Sequence, residues 1–370
     1  MKRRYDMYFR NIMLYVLLNV FLIASTEAQV YEQSRQYDRS YALNDETEVV
    51  INNKYGNIHI HTWDNDSVKF EVEVRVSSNR QARVDRIFNN IDVQFTANRN
   101  YVIATTTFAS ASGLLSEITD LGRSLINSGG IAEINYQLWI PEHITLKVDN
   151  RFGNIYTTDH SGRIEFRLSN GDLQVNELSG KSVVSIDFGH ANIRNIEDGR
   201  VELNYANLDL NQAGELSLNG RSSTINIQHI NQLQLNSRRD QINIDEAAVV
   251  TGESSFSRAT INAITEHIML NGNYGSIQVS GLHNAFQYMH LNTNYTSVQL
   301  YLHTSISANL EINYSKRTKL LLPAGLETIE SIELEPGGEA GMIRGVFGVG
   351  KPSALKFTMT GGEISIFSQP

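Results

Sequence analysis

A short pattern that recurs many times between residues 150 and 300 constrains the fold more than any other feature of this 370-residue chain. Each copy starts with an aromatic or small residue, continues with small polar residues and ends with two apolar residues separated by one position. The first apolar residues of nine successive copies are Ile155, Leu173, Ile193, Leu208, Ile225, Ile242, Ile261, Ile277 and Val298. The eight steps between them average about 18 residues, and a repeat this short and frequent is typical of a solenoid.

Alternation within each copy identifies the elements as β-strands. Leu208 and Leu210 would point one apolar face to the core and leave the other face to solvent. A second alternating segment lies upstream in each copy and often ends in asparagine, at Asn219, Asn236, Asn271 and Asn313. We therefore predict an all-β fold, a single-chain parallel β-solenoid (right-handed β-helix-like) with coils of roughly 18 residues and equivalent residues about 4.8 Å apart. Stacked asparagines would hydrogen-bond along its axis.

Aromatic residues occupy equivalent positions in many copies and form the main candidate site. They are Tyr55, Phe152, Phe188, Tyr205, Phe256, Tyr274, Tyr295 and Tyr314. Two interpretations compete: a structural stack that is buried or half-buried at a corner, and an exposed strip that could lie against sugar rings. The interchange of phenylalanine with tyrosine favours the buried stack, because a sugar platform would seldom alternate with the more apolar ring.

The N-terminus has the features of a secretory signal. Basic residues at Lys2, Arg3 and Arg4 precede an apolar run from Ile12 to Ala24, and small residues follow near Ala28. We predict that residues 1–28 are a signal peptide, because a membrane anchor would need roughly 20 apolar residues. The chain has no cysteine and therefore no disulfide. Export would place it in the periplasm, on the outer-membrane surface or outside a bacterium.

The segment between the signal and the main repeats is predicted to be more varied. Residues 29–43 would be a polar lead-in, residues 44–148 the N-terminal part of the domain, and residues 149–370 the repeat β-solenoid. Val68 to Val76 alternates as a strand with one buried face. Residues 77–90 have helical spacing with Ser78 available as an N-cap, and residues 91–96 and 101–108 would form a hairpin.

An insert at residues 109–132 interrupts the strand pattern. Its apolar stripe consists of Leu114, Leu115, Ile118, Leu121 and Leu125. A helix with one apolar stripe must rest on something. We favour a cap that shields exposed strand edges over a contact for a partner or a membrane.

Several turn motifs carry a family resemblance. They are Tyr55-Gly56-Asn57-Ile58, Trp63-Asp64, Leu138-Trp139-Ile140-Pro141, the glycine-containing repeats, Gly345-Val346-Phe347-Gly348 and the end from Thr360 to Ile366. With these motifs the chain resembles, over roughly residues 44–370, the putative adhesin family of bacterial domains of unknown function, which is related to GIN-type adhesin head domains. The resemblance implies an envelope-associated or secreted β-solenoid, and it supplies no catalytic residues.

Catalytic and metal-binding patterns are weak in this sequence. A glycoside hydrolase needs two carboxyl groups about 5 to 10 Å apart, and the carboxylates considered do not recur at one register: Asp187, Glu202, Asp209 and Asp245. His59 and His61 share one strand face, which indicates a polar face more than a metal site. We predict no catalytic residue, no cofactor and no metal.

The predicted function follows from these exclusions. A net charge of -9 without long runs of one sign argues against a nucleic-acid partner. We expect an exported, non-enzymatic envelope scaffold or adhesion module whose partner is an envelope protein or a glycan. Membrane contact would be confined to the signal segment or the 109–132 insert. The alternative is a carbohydrate-active enzyme, a polysaccharide lyase or hydrolase on a β-helix.

Overall fold

A computed structural model describes residues 30–109, 130–333 and 340–369. The first elements are β1 (Tyr31–Ala42), β2 (Glu48–Lys54), β3 (Ile58–Thr62), β4 (Ser67–Ser78), α1 (Gln81–Asn89), β5 (Ile91–Ala97), β6 (Tyr101–Phe108) and β7 (Gly130–Ile140). The next are β8 (Thr145–Arg151), β9 (Ile155–His160), β10 (Ile164–Ser169), β11 (Asp172–Asp187), β12 (His190–Asn204), β13 (Asn207–Arg221), β14 (Thr224–Arg238) and β15 (Gln241–Ser255). The last are β16 (Arg258–Asn273), β17 (Ser276–Val279), β18 (Tyr288–His303), β19 (Ala308–Tyr314), β20 (Thr318–Leu321), β21 (Glu327–Glu333), β22 (Gly341–Phe347) and β23 (Ser353–Gln369).

Within the described residues the fold is all-β with a single helix, and most strands belong to one long, mainly parallel sheet. In that part of the chain no helix is long and apolar enough to cross a membrane. The predicted signal peptide and the apolar stripe of the insert lie outside the described residues. Both remain predictions.

Contacts divide the chain into two compact units. The described residues of the smaller unit are 30–35, 75–91, 108–109 and 130–132, and they include α1. Asp85 on this helix accepts hydrogen bonds from the side chains of Gln33 and Gln81, each at 2.8 Å. The helix starts after Arg80, whose side chain makes no capping bond. Ser78, which we expected to cap the helix, is instead the buried last residue of β4.

The larger unit contains the repeats, and its strands pair in a regular parallel register. From β11 to β16 each strand pairs with the next, and Leu208, Ile225 and Ile242 are successive partners 17 residues apart. Each of these strands is 15 or 16 residues long and includes both apolar pairs, where we expected two short strands. Pairing with the neighbouring strands continues between the two apolar pairs, so each strand is extended through both pairs. The turn between β13 and β14 is only Ser222 and Ser223.

The core consists of columns of apolar side chains, each column formed by register partners. Ile227, Ile244, Ile261 and Val279 follow one another in one such column. All four are no more than 2 % exposed. Ile227, Ile244 and Val279 therefore lie in one internal stack.

A further copy of the repeat lies on β2 and β3, which are joined by the turn Tyr55-Gly56-Asn57. β2 pairs in parallel with β8 and β6, and β3 pairs in parallel with β9 and β7. The predicted hairpin of β5 and β6 is present, with Asn98 N–H bonded to the carbonyl of Tyr101 at 2.9 Å. The expected lead-in at 29–43 is mostly strand β1, which pairs with β4.

The last strands depart from the simple repeat. β23 pairs in parallel with β18 and with β19, although β19 comes long before it in the chain. β22 then pairs antiparallel with both β19 and β21. The region from 308 to 347 is therefore a mixed-direction end of the sheet, and the regular repeat we predicted up to 370 is interrupted there.

Candidate functional site

The turn between successive strands has a left-handed backbone at one repeated position. The ten non-glycine residues with φ between 45° and 69° are Tyr55, Phe152, Asn170, Phe188, Tyr205, Ser222, Arg239, Phe256, Tyr274 and Tyr295. We call them the turn column. From Tyr55 to Tyr274 each backbone N–H donates to the carbonyl that precedes the next member, at 2.7–3.0 Å. The ten residues therefore form one continuous series.

Left-handed conformation is unusual for large side chains, since it crowds Cβ against the backbone. Seven of the ten members are aromatic, so the strain is repeated along the column. Glycine follows several of these aromatics for another reason. A Cβ on Gly153 would lie 2.0 Å from the carbonyl oxygen of Gly56 in the neighbouring turn, so that position needs glycine for close backbone approach.

The aromatic rings stack on one another and are mostly exposed. Ring centres are 5.4 Å apart for Tyr55 and Phe152, and 5.3 Å for Phe188 and Tyr205. Phe256, Tyr274 and Tyr295 form a three-ring stack with separations of 5.2 and 5.4 Å. Planes within each pair differ by 3–15°.

The sequence favoured a buried or half-buried stack; in the structure Tyr55 is buried and the other six stacked rings are 39–57 % exposed. Phe188 is 57 % exposed and Tyr205 56 %, whereas Tyr55 is 6 % exposed. Phe152, Phe256, Tyr274 and Tyr295 are also exposed. At six of the seven aromatic turns the side chain is exposed, and the residue that follows can be buried instead, as Ala206 is after Tyr205.

Tyr314 does not belong to the turn column. It ends β19 and pairs with Met359. The position after Tyr295 is instead Gly361, because Thr296 pairs with Gly362. A side chain at Gly361 would collide with the Tyr295 ring, and Arg317 Nη1 donates to the Tyr295 hydroxyl at 2.8 Å. The C-terminal end of the column is therefore filled.

A buried carboxylate lies beneath the non-aromatic part of the column. Asp240 is 4 % exposed and accepts hydrogen bonds from the Ser237 hydroxyl and from the backbone N–H groups of Ser223 and Arg238, at 2.7–3.0 Å. Burial raises the pKa of Asp240, while these donors oppose the shift. No sequence pattern indicates this cluster, since serine and aspartate usually mark exposed turns.

Asparagines in three other columns hydrogen-bond to the preceding strand. Their side-chain amides donate from Asn204 to Asp187, from Asn226 to Asp209 and Asn243 to Asn226 in a second column, and from Asn262 to Asp245 in a third, at 2.8–3.0 Å. Three of the four carboxylates considered as catalytic candidates, Asp187, Asp209 and Asp245, therefore accept structural hydrogen bonds. Glu202, the fourth, lies in a different column.

A further column, on the later half of the same strands, behaves differently. Glu202, Asn219, Asn236, Glu253, Asn271 and Asn292 are register partners on successive strands. Among the described residues, the amides of Asn219, Asn236, Asn271 and Asn292 make no hydrogen bond of their own, so the expected bonding along the axis is absent. They line an open groove of about 880 Å³ with Arg200, Ser217, Gln234, Leu235, Thr251, Gly252, Glu253, Met269, Leu270 and His290. We call it the amide groove.

Gly252 gives the amide groove its local shape. It stands between Leu235 and Leu270 in the register, with φ of 127°. A Cβ there would lie 1.9 Å from the carbonyl oxygen of Leu235, so only glycine fits. Glycine inside a strand often marks a place where something approaches the backbone closely. Met269, 40 % exposed, provides apolar surface beside it.

The two histidines considered for metal binding are engaged with neighbouring rings. His59 stacks on Tyr156 with ring centres 4.6 Å apart, and burial, followed by the nearby His61, lowers its pKa. His61 stacks on Trp139, and its Nε2 lies 2.8 Å from Oε1 of Gln137. No group of three metal-ligating side chains occurs within the described ranges.

No protein-family model matches the chain, and no curated protein matches it. Three crystal structures show a distant likeness, each over 90 % of this chain. They are a putative cell adhesion protein from Clostridium sporogenes (10 % identity, 100 % of that chain, TM-score 0.19), a putative adhesin from Bacteroides fragilis (8 %, 97 %, 0.26) and a putative lipid binding protein from Parabacteroides distasonis (12 %, 97 %, 0.27).

Proposed function

We propose that this chain is an exported, non-enzymatic β-solenoid of the bacterial cell envelope, and that it serves as an adhesion module that binds a glycan chain in the amide groove. The observation that carries the proposal is the contrast between two asparagine columns on the same strands. Asn226 donates to Asp209 and accepts from Asn243. Asn236, ten residues later on β14, is exposed and has no hydrogen-bond partner among the described residues.

The chemistry of the amide groove fits a hydroxyl-rich chain. Each free amide offers two donors and one acceptor oxygen, and a sugar hydroxyl can serve as both donor and acceptor. Asn219 and Asn292 are four strands apart in the register, which corresponds to about 19 Å at ~4.8 Å per strand. This length suits several sugar units.

A peptide strand is a poorer fit to this surface. Peptides that extend a sheet need an edge with free backbone groups. The groove lies on the face of β12 to β18, where each strand is paired on both sides, so recognition depends on side chains. The groove lining has one cation, Arg200, and one anion, Glu253, among mostly neutral polar groups, which favours a neutral polar chain over a charged one.

The hydrogen bonds and the separation of the carboxylates support binding without catalysis. Asp187, Asp209 and Asp245 each accept a hydrogen bond from an asparagine of the next strand, and the three pairs support the stacking of strands. Glu202 and Glu253 lie in the groove column, three strands apart. That separation is about 14 Å at ~4.8 Å per strand, wider than the ~5–10 Å that glycoside hydrolases use.

The test uses the purified protein on an array of bacterial and host glycans. We expect Asn236→Ala with Asn271→Ala to weaken binding of the best glycan about tenfold or more, since truncation removes both amides from the contact. Asn226→Ala with Asn243→Ala is the matched control, because it makes the same substitution in β14 and β15 outside the groove. The control should bind glycan as the wild type does.

Two outcomes would overturn the proposal. Equal binding by the groove variant and the wild type would exclude the amide groove. Release of new reducing ends from any bound glycan would show an enzyme, and the carbohydrate-active alternative would replace the adhesion module.

A further inference from the structure

We propose a second, separate binding site in the turn column, a slot above Asn170 that receives a single pyranose ring between the faces of Phe152 and Phe188. The column carries an aromatic ring on each side of Asn170, and Asn170 itself is a short side chain. The ligand ring would occupy the place that an aromatic ring has in the neighbouring turns. This inference does not depend on the amide groove.

Order along the column places the three residues in adjacent turns. The N–H of Phe152 donates to the carbonyl of Ser169, and the N–H of Asn170 donates to the carbonyl of Asp187, each at 2.9 Å. Phe152 therefore precedes Asn170 by one step, and Phe188 follows it by one step.

Phe152 and Phe188 each stack on a neighbouring ring with one face, so the other face of each points towards this slot. Tyr55 stacks on Phe152 from the far side, and Tyr205 stacks on Phe188 from the far side. Both facing rings are exposed, Phe152 by 41 % and Phe188 by 57 %.

Spacing in the column defines the thickness of the slot. Adjacent stacked rings have centres 5.2–5.4 Å apart. Two such steps give about 10 Å between the centres of Phe152 and Phe188, which leaves an inserted ring about 5 Å from each, within the usual range for ring contacts. A chair-shaped sugar with C–H groups on both faces fills this thickness better than a flat ring does.

The side-chain amide of Asn170, at the base of the slot, is the polar partner for the sugar. Asn170 is exposed, and its amide has no hydrogen bond to another described residue. An amide can donate to one hydroxyl of a sugar and accept from another. Apolar faces above and below with a polar group at the edge match the distribution of C–H and O–H groups on a pyranose.

The other breaks in the column lack this arrangement. Ser222 and Arg239 stand together between Tyr205 and Phe256, so that opening has a guanidinium where a second ring would be needed. At Gly361 the Tyr295 ring and Arg317 fill the space. Among the non-aromatic members of the turn column in the described residues, Asn170 alone has an aromatic neighbour on both sides.

The test is saturation-transfer NMR with methyl β-D-glucopyranoside and methyl β-D-galactopyranoside, irradiating the aromatic protons of the protein. We expect transfer to the ring C–H protons of at least one sugar, with upfield shifts because those protons lie over ring faces. Asn170→Tyr should complete the stack and reduce the transfer about tenfold. Ser222→Tyr is the matched control: it adds the same ring at another left-handed turn and should leave the transfer unchanged.

Further variants separate this site from the amide groove and from misfolding. If Asn170→Tyr does not fold, Phe188→Leu removes one wall of the slot and should still lower the transfer about fivefold. Asn236→Ala with Asn271→Ala should leave it unchanged, whatever happens to binding on the glycan array. The proposal is overturned by absence of transfer from either sugar, by equal transfer in a folded Asn170→Tyr protein, by loss in the groove variant, or by indole displacing the sugar from the site at equal concentration.

Discussion

Replacing Tyr274 by alanine and by glycine tests the left-handed strain of the turn column. Tyr274 has φ of 51° and stacks between Phe256 and Tyr295, at 5.2 and 5.4 Å. Both variants lose the two ring contacts, which contribute about 0.5–1.5 kcal/mol each. They differ in the backbone: alanine keeps a left-handed strain of about 1–2 kcal/mol, and glycine removes it but costs about 0.5–1 kcal/mol in chain entropy. We expect Tyr274→Gly to be more stable than Tyr274→Ala by about 0.5–1 kcal/mol.

Tyr301 is the control for this comparison. It also stacks on a neighbouring ring, Phe367 at 5.0 Å, but it lies inside the extended strand β18. There alanine should be more stable than glycine by about 0.5–1 kcal/mol, since no left-handed strain is relieved. Urea unfolding measures all four variants. The strain argument would be refuted if glycine and alanine had the same order of stability at both positions, or if Tyr274→Ala were more stable than Tyr274→Gly.

Three further predictions test the packing of the core and of the turns. Gly171→Ala should lower the melting temperature and destabilise by more than ~1 kcal/mol, because its Cβ would lie 2.1 Å from the carbonyl oxygen of Gly153; an unchanged melting curve would contradict the close approach. Ile244→Asp should cost several kcal/mol by burying an unpaired charge at a position 1 % exposed, and a variant that melts like the wild type would show the column assignment to be wrong. His160 is buried against the Ile144 carbonyl, and burial lowers its pKa to about 4. Because only the unfolded chain takes up this proton between about pH 6.5 and 4, the free energy of unfolding should fall by up to roughly 3 kcal/mol across that window. His160→Gln should show a smaller fall in urea unfolding at pH 7 and pH 4.5, and an equal fall would remove His160 as the cause.

Core columns could be predicted because period-two alternation is a direct consequence of the extended backbone. The sequence pattern marks the wrong residue in two copies, where alanine occupies the core column. It marks Ile193 and Ile261 as first apolar residues, whereas Ala191 and Ala259 are the register partners of Leu208 and Ile242. With Ala191 and Ala259 as first apolar residues, successive copies from Leu173 to Ile277 are all 17 or 18 residues apart. Alanine is small enough to be overlooked in a pattern of larger apolar residues.

Exposure of the aromatics could not be predicted from residue type, because Tyr55 is buried and the other six rings are exposed although all seven share the left-handed backbone. A signal for the left-handed turns was nevertheless present: Asn170 and Gly361 occupy positions equivalent to the aromatics. Asparagine and glycine are the residues that most readily adopt a left-handed conformation. Their presence at equivalent turns indicates that the whole column is left-handed.

The sequence also could not show which asparagine amides lack hydrogen-bond partners, because asparagine serves two purposes on one strand. Asn226 is satisfied because Asp209 and Asn243 are its partners along the column. Asn236 lies between Asn219 and Glu253 and bonds to neither. Which of two asparagines is free depends on side-chain geometry across neighbouring strands, and a linear pattern does not contain that information.

The turn column gives the strongest physical reason to expect binding at the turns. Seven aromatic residues in a left-handed conformation each carry about 1–2 kcal/mol of strain. The four ring contacts return only about 0.5–1.5 kcal/mol each, and glycine or asparagine would avoid the strain at every turn. A sequence shaped by stability alone would therefore use fewer aromatics at these turns. We propose that the exposed rings are kept because they contact a ligand. The slot above Asn170, where two rings face each other across one missing step, is where such contact should be sought first.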